Sequence, residues 1–388
     1  MPLLRCRYGA HLSKEQVARL VAPHPDTLEL INSWLEHHDV PSSSLSTTHG
    51  GGWITLTGMP VSQANELLGA SYQLYQRTGK NDTTILRTIG YTLPAVLHTH
   101  VQTVVPTTHF ASMHTLLQSP QRRTVRATAD IASRELGTVL SSRNSDDDDD
   151  DDDDSDDDDD NDDVMPSNLR LLYRTAAYVP AATDQNVLGI TGYLNESPSP
   201  ADLRKFMTEC RTDAVDATFT VEPVNGGKDD PMHPTSEAGQ NMQYAQAMAY
   251  PTRHIFYTTG GTMLAMPDTK LPARGDLFLE WLKYMLDKPE VPQTISTSYG
   301  LDEKIPPVEY TTALCDLFAQ LGTRGASLLF PSGNKGVGEG DCKVNGRVQF
   351  IPFFPASCMC GVLFLLGSST PLQAQVAHHI TTALQVPM

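Results

Sequence analysis

No run of apolar side chains in this 388-residue sequence comes near the ~18–20 residues that a helix needs to cross a bilayer. The longest, Met359 to Leu366, has less than half that length, so no membrane-spanning helix is expected. Met1 to Ala10 (MPLLRCRYGA) lacks the apolar core of a secretory signal, so none is expected there. Cysteine is scarce: Cys342, Cys358 and Cys360 lie close together, and Cys6, Cys210 and Cys315 are scattered. Six thiols in a chain of this length do not make a disulfide scaffold. There is no paired Cys-x-x-Cys set for zinc, no histidine pair at metal-ligand spacing on a helix and no Gly-x-Ser-x-Gly elbow. The residue pattern therefore offers no metal site of its own.

Basic excess is lacking too. The formal charge is −18, but 16 aspartates fall between Ser145 and Asp163, leaving 30 acidic against 28 basic side chains elsewhere. With no positive surplus to neutralise phosphates, nucleic acid is not an expected partner. The aspartates repel one another and bury nothing, so the tract is expected to be a disordered, solvated spacer. Carboxylates are hard ligands suited to weak Ca²⁺ capture, but tight capture needs a fixed geometry that a homopolymer does not supply.

What is present divides the chain into four parts: a front domain over 1–110, a linker over 111–164, a larger domain over 165–358 and a tail over 359–388. In the front domain, Ser13 precedes a Val17/Leu20/Val21 stripe and caps a helix. Pro25-Asp26 opens a second helix whose Leu28, Leu30, Ile31, Trp34 and Leu35 recur at helical spacing. Trp53 to Thr57 alternates as a strand, and Pro60 to Leu68 reads as a helix. Tyr72–Tyr75 and Ile85–Tyr91 read as a hairpin across Thr78–Asn81, and Pro94–Val104 as a closing helix. This order favours a small α+β sandwich. In the larger domain, strands at Val187–Tyr193, Ala217–Val224, His254–Tyr257, Gln293–Tyr299 and Ser327–Phe330 alternate with helices at Pro200–Cys210, Glu237–Ala249, Leu277–Leu286 and Tyr310–Leu321. That alternation predicts an α/β, doubly wound parallel sheet. Ligand-handling residues in such a sheet sit at the carboxyl ends of strands, which points to the loops after Tyr193, Tyr299 and Phe330. Asn81-Asp-Thr83 and Asn195-Glu-Ser197 are glycosylation sequons, relevant if the chain is secreted.

Several stretches, taken in order, resemble one family. Tyr8-Gly-Ala-His-Leu-Ser-Lys14, Trp53-Ile-Thr-Leu56, Pro60 to Gly69, His98-Thr-His100 and Pro106-Thr-Thr-His-Phe110 look like the activation pro-domain of the sedolisins. These are the serine-carboxyl peptidases that include kumamolisin and the fungal tripeptidyl-peptidases. Pro166 to Tyr173, Asp213 to Phe219, Gln293 to Gly300, Leu314 to Gly322 and Phe354-Pro-Ala-Ser-Cys358 resemble parts of the mature domain in the right sequence. The resemblance implies a subtilisin-like sheet domain, incomplete on its carboxyl-terminal side, behind a small ferredoxin-like pro-domain. It also implies a precursor truncated at both ends, acid hydrolysis of peptide bonds, peptide or protein substrates, a pro-domain seated on its own peptidase domain, secretion, and Ca²⁺.

The resemblance assigns roles residue by residue. Glu237 falls at the position of the general base, and Asn241, four residues on, stands where the family has the Asp that orients it. Residues i and i+4 share one helical face, and carboxylates suit acid, where a histidine would be protonated. An amide at 241 accepts a hydrogen bond but holds no exchangeable proton between carboxyls. Asn334, in Phe330-Pro-Ser-Gly-Asn334, replaces the family's oxyanion Asp, and its amide is able to donate. Ser298, Tyr299 and Gly300 match the family's substrate-pairing strand. Cys342 and Cys358 form either a disulfide in an oxidising compartment or two buried thiols. The nucleophile motif Gly-Thr-Ser-Ala-Ser is absent, and Ser369 in Gly367-Ser-Ser-Thr370 reads as a surface residue. Past Cys358 the resemblance is expected to end without the family's next strand, and the Ca²⁺ ligands built after the nucleophile are missing with it. Two functions follow as expectations. One is an acid serine-type peptidase precursor, inactive in the form of this chain. The other is a non-catalytic pseudo-peptidase or pro-domain inhibitor that binds peptides or an active relative.

Overall fold

In the computed structural model, described residues are 9–76, 84–108, 110, 165–261, 276–303, 306–331, 343–344, 347–348, 352–358 and 362–364. Residues 1–119 with 179–388 form one compact unit, and 120–178 form another. The aspartate tract, the Thr78–Asn81 turn, Asn334, Cys342 and Ser369 lie outside the described residues.

Ser13 opens helix α1 (Lys14–Val21) through a capping box: its hydroxyl accepts the Gln16 N–H, and the Gln16 side chain accepts the Ser13 N–H. Only Val17 of the expected stripe is buried; Leu20 and Val21 face solvent, because eight residues present just over two turns to the core. Helix α2 (Pro25–His37) follows, then strands β1 (Leu45–Thr47) and β2 (Ile54–Leu56), an antiparallel pair. Helix α3 (Val61–Leu68) ends at Gly69, whose left-handed φ of 51° suits glycine. Strands β3 (Gln73–Gln76) and β4 (Thr84–Arg87) form the expected antiparallel hairpin. Leu35, Val40, Leu67 and Leu68 are the core of the front domain, with Ile31, Trp34 and Tyr72 against them. The helix expected over Pro94–Val104 is a single 3-10 turn at Ala95–Leu97. Only Leu97 of that turn is buried, too little apolar surface to hold a longer helix. Helix α4 (Pro166–Leu172) belongs to the second unit, where Arg170 donates to the carbonyls of Ala176 and Tyr178 at 2.9 and 3.1 Å.

The larger domain runs β5 (Val187–Gly192), α5 (Pro200–Cys210), β6 (Phe219–Val224), α6 (Ser236–Ala249), β7 (Arg253–Thr259), α7 (Leu277–Asp287), β8 (Thr294–Thr297), β9 (Leu301–Asp302), α8 (Val308–Thr323) and β10 (Ser327–Pro331). Short strands β11 (Lys343–Val344), β12 (Arg347–Val348), β13 (Phe353–Phe354) and β14 (Val362–Phe364) follow. Six strands make one sheet in the order β14-β10-β8-β5-β7-β6, every pair parallel. Alternate side chains serve opposite faces, as pleating requires. Ile190 and Phe256 pack on Leu203, Met207, Met242 and Ala247 of α5 and α6. Tyr257, Ile295 and Leu328 pack on Trp281, Leu282, Leu314 and Phe318 of α7 and α8. This is the doubly wound α/β sheet expected. The tail corrects one expectation: Val362–Phe364 pairs parallel with β10 as an edge strand, so the sheet continues past Cys358. A short apolar run is satisfied by one parallel neighbour, which its sequence alone does not reveal.

The front domain lies against α7 and α8. Trp53 and Val105 pack on the core that those helices share. The Leu12 N–H donates to Thr323 O at 2.9 Å, and Lys14 pairs with the Asp287 carboxylate and carbonyl. Lys283 reaches Thr55 at 3.3 Å. Arg87 of β4 is fully buried. Burial brings its guanidinium down to about 10, against the opposing pull of the Tyr72 hydroxyl and the Asp276 carboxyl.

Candidate active site

Strand β5 leads to α5 on one face of the sheet, and its neighbour β8 leads to α8 on the other. The crevice between their carboxyl ends is the topological switch point, where doubly wound sheets bind ligands. Two loops meet there. After β5, the chain turns through Leu194 and Asn195, both at positive φ, and then buries Glu196, Ser197 and Ser199. After β8 come exposed Ser298 and buried Tyr299.

The start of α6 closes the crevice. The Ser197 N–H donates to the Thr235 hydroxyl at 3.3 Å, and the Thr235 N–H donates to Ser197 O at 3.0 Å, fixing the β5 loop to the helix start. Ser197 also accepts the Asp230 N–H at 2.9 Å. Glu237 stands in the first turn of α6, where unpaired N–H groups and the helix dipole favour a carboxylate. Asn241 lies one turn on and donates its amide to Glu237 Oε1 at 3.2 Å. The Asn241 carbonyl oxygen accepts the Ser298 hydroxyl at 3.0 Å. The adjacent Tyr299 donates its hydroxyl to Glu196 Oε2 at 2.6 Å, and its ring stands edge-on to Tyr193 with centroids 4.8 Å apart.

Both carboxyls hold protons more tightly than usual. Burial pushes Glu237 up, opposed by the Asn241 hydrogen bond. Burial also takes Glu196 up to about 7; the Tyr299 hydroxyl pulls it down, the Glu237 charge pushes it up, and the Ala238 N–H pulls it down. The result is two acid groups at one helix start, linked through Asn241, Ser298 and Tyr299. Such a set accepts or releases a proton between acid and neutral pH.

Residues 5–110 match the model of the pro-kumamolisin activation domain. The chain is 32% identical over 362 residues to the probable tripeptidyl-peptidase SED3 of Trichophyton verrucosum, covering 90% of this chain and 56% of that protein. It is also 32% identical over 365 residues to tripeptidyl-peptidase SED2 of Arthroderma otae, covering 91% of this chain and 57% of that protein. The chain resembles the sedolisin family along nine-tenths of its own length. It spans a little over half the length of the curated relatives it matches. A match to tripeptidyl-peptidase SED4 of Arthroderma otae covers 97% of this chain at 28% identity, and so takes in part of the segment after Cys358. Among solved structures, Pseudomonas sedolisin, complexed with two molecules of pseudo-iodotyrostatin, is similar with a TM-score of 0.37 at 17% identity, covering 51% of this chain and 52% of that one.

Against the sedolisin pattern, Glu237, Asn241 and Ser298 come together, and Asn334 lies outside the described residues. Gly300 is closely covered: a Cβ there would lie 2.3 Å from the Phe353 ring and 2.5 Å from Phe354 O, so no larger residue fits beside β13. The disulfide expectation is corrected. Cys358 bonds Cys315 of α8, with Cα atoms 5.5 Å apart, and its single sulfur leaves none for Cys342. Spacing along the chain concealed this, since the two partners are 43 residues apart and meet only through packing. Among the described residues no three carboxyl, imidazole or thiol groups converge as a metal site. Glu196 was missed because its only sequence mark is the sequon Asn195-Glu-Ser197; a charged residue four places past a buried strand end was the signal available.

Proposed function

We propose that the chain is part of a secreted, serine-type acid peptidase precursor that removes tripeptides from, or cuts within, peptide and protein substrates. One observation carries this reading: Glu237, Asn241 and Ser298 form a continuous hydrogen-bonded set at the sheet's switch point, in the positions that the sedolisin resemblance gives to the base, its orienting residue and the substrate strand. In this reading Glu237 takes the proton from a serine nucleophile as that oxygen attacks the peptide carbonyl, and returns it to the leaving amine. Asn241 fixes the carboxylate's orientation, and the amide of Asn334 donates to the oxyanion. Residues 1–110 act as the pro-domain and cover α7 and α8 until activation, 111–164 serve as a linker, 165–358 form the peptidase portion, and 359–388 its divergent continuation. Calcium belongs to this reading only through the family. The Gly-Thr-Ser-Ala-Ser motif does not occur in these 388 residues, so the chain by itself orients a peptide and its proton acceptor without cutting.

A second reading, a non-catalytic peptide binder or pro-domain inhibitor, is favoured by one specific feature. The orienting carboxylate is an amide at Asn241, already engaged on both its atoms by Glu237 and Ser298. Product identity separates the two. The reading frame carrying these residues is expressed and incubated in acid with an unfolded protein, and mass spectrometry reads the products. Stepwise loss of tripeptides from a free amino terminus, or internal cuts, support the peptidase. Capture of uncut peptide supports the binder. A folded protein that does neither overturns both.

A further inference from the structure

We propose that Glu196 is the second carboxyl of this site, a positioning residue whose ionisation is coupled to that of Glu237 and which so supplies the coupled acid that the amide of Asn241 does not. The proposal rests on the peptidase reading for its consequence and on geometry for its support. Glu196 is almost completely buried. It is held on one side by the Tyr299 hydroxyl at 2.6 Å and on the other by the N–H of Ala238, the residue next to Glu237. The loop that carries it is tied to α6 by the paired Ser197–Thr235 hydrogen bonds. It therefore cannot swing into solvent as a surface glutamate does.

The groups facing it come from three places. Glu237 and Asn241 stand on α6, Ser298, Tyr299 and the Tyr193 ring lie at the ends of β8 and β5, and Asp230 with His233 sits on the loop bonded to Ser197. Two acids placed this way ionise in two coupled steps. Asn241 and the helix start favour the charge on Glu237, against the burial that raises its pKa. The proton on Glu196 stays until about neutral pH. Between the steps the pair carries one proton and one charge, with Glu237 free to accept a proton and Glu196 protonated beside it. Loss of the second proton places two charges at one helix start and perturbs the geometry that Tyr299 and Asn241 maintain. The proton balance is simple: each step exchanges one proton with solvent.

Carboxyl ¹³C titration of the full 388-residue chain tests this without depending on peptide cleavage. Glu196 is expected to titrate near neutral pH, and the Glu237 signal is expected to show an acid step plus a second inflection at the Glu196 midpoint. In Glu196→Gln the second inflection disappears while the acid step stays. In Glu237→Gln the Glu196 midpoint falls by about one pH unit. Tyr299→Phe keeps the ring packing and moves the Glu196 midpoint upward, and it serves where Glu196→Gln does not fold. A Glu196 midpoint that is the same with and without the Glu237 charge overturns the proposal. So does a Glu237 signal with one inflection throughout. If the coupling is present but tripeptide release by the expressed reading frame is unchanged in Glu237→Gln, the peptidase reading alone has failed.

Discussion

Tyr299 donates its hydroxyl to Glu196 across 2.6 Å, joining the loops that leave β8 and β5 in opposite directions. Neither residue is charged and exposed in the ordinary way: Tyr299 is 1% and Glu196 7% exposed. The bond therefore fixes the floor of the crevice in which Glu237 and Asn241 stand.

Glu196 gives stability a definite slope with pH. Its folded-state affinity for a proton, near pH 7 against an ordinary 4.5, exceeds that of the unfolded chain. Between those values the folded state binds the extra proton, so this residue's contribution falls as pH rises through that window. The size is on the order of 3 kcal/mol. Denaturant unfolding at pH 4.5 and pH 8 is expected to show a smaller loss over this range in Glu196→Gln than in the wild type. Equal losses would contradict the burial assigned to Glu196.

Asn241→Asp restores a carboxyl one helical turn from Glu237. Two acids in hydrogen-bond contact do not both ionise freely, so the pair should titrate in two separated steps, the upper one above the present Glu237 step. Carboxyl titration checks this, and a single unshifted step would mean that residue 241 does not face Glu237.

The bond between Cys315 and Cys358 closes a loop of 43 residues. Cys358→Ser and Cys315→Ser should each cost roughly 2–4 kcal/mol in oxidising buffer, and Cys342→Ser should leave stability nearly unchanged. A loss on changing Cys342 equal to that on changing Cys358 would restore the pairing first expected.

Arg87 is the front domain's most deeply committed charge. Arg87→Met keeps most of the volume and removes the guanidinium beside Asp276 and Tyr72. Asp276 caps α7 by accepting the Leu279 N–H and also accepts the Tyr310 hydroxyl. The change is expected to cost about 1–3 kcal/mol, since the Leu86 carbonyl loses the guanidinium that donates to it. Hydrogen exchange should quicken in the first turn of α7. Unchanged exchange there would show that Arg87 serves the front domain alone.

The parts of this fold legible in the sequence are those with local causes. Ser199 and Pro200 start α5 by capping and by fixed φ. The spacing of Glu237 and Asn241 was enough to place them on one face, because a helix sets that relation without help from the rest of the chain. The switch point followed from alternating strands and helices. What was hidden depends on contacts distant in sequence. A segment that reads as a helix holds only the Ala95–Leu97 turn, Cys315 finds Cys358 through packing, and Val362–Phe364 becomes a strand by pairing with β10. Glu196 belongs to the same group: a glutamate beside a sequon becomes an active-site acid only when Tyr299 and the start of α6 close around it.

The most direct measurement is the pH profile of tripeptide release by the expressed reading frame that carries these residues, compared with Glu237→Gln. The predicted result is acid-range activity that falls by about 10²–10⁴-fold in Glu237→Gln while the variant keeps its fold. Activity that survives Glu237→Gln, or that peaks in alkali, would contradict the assignment of Glu237 as the proton acceptor of an acid peptidase.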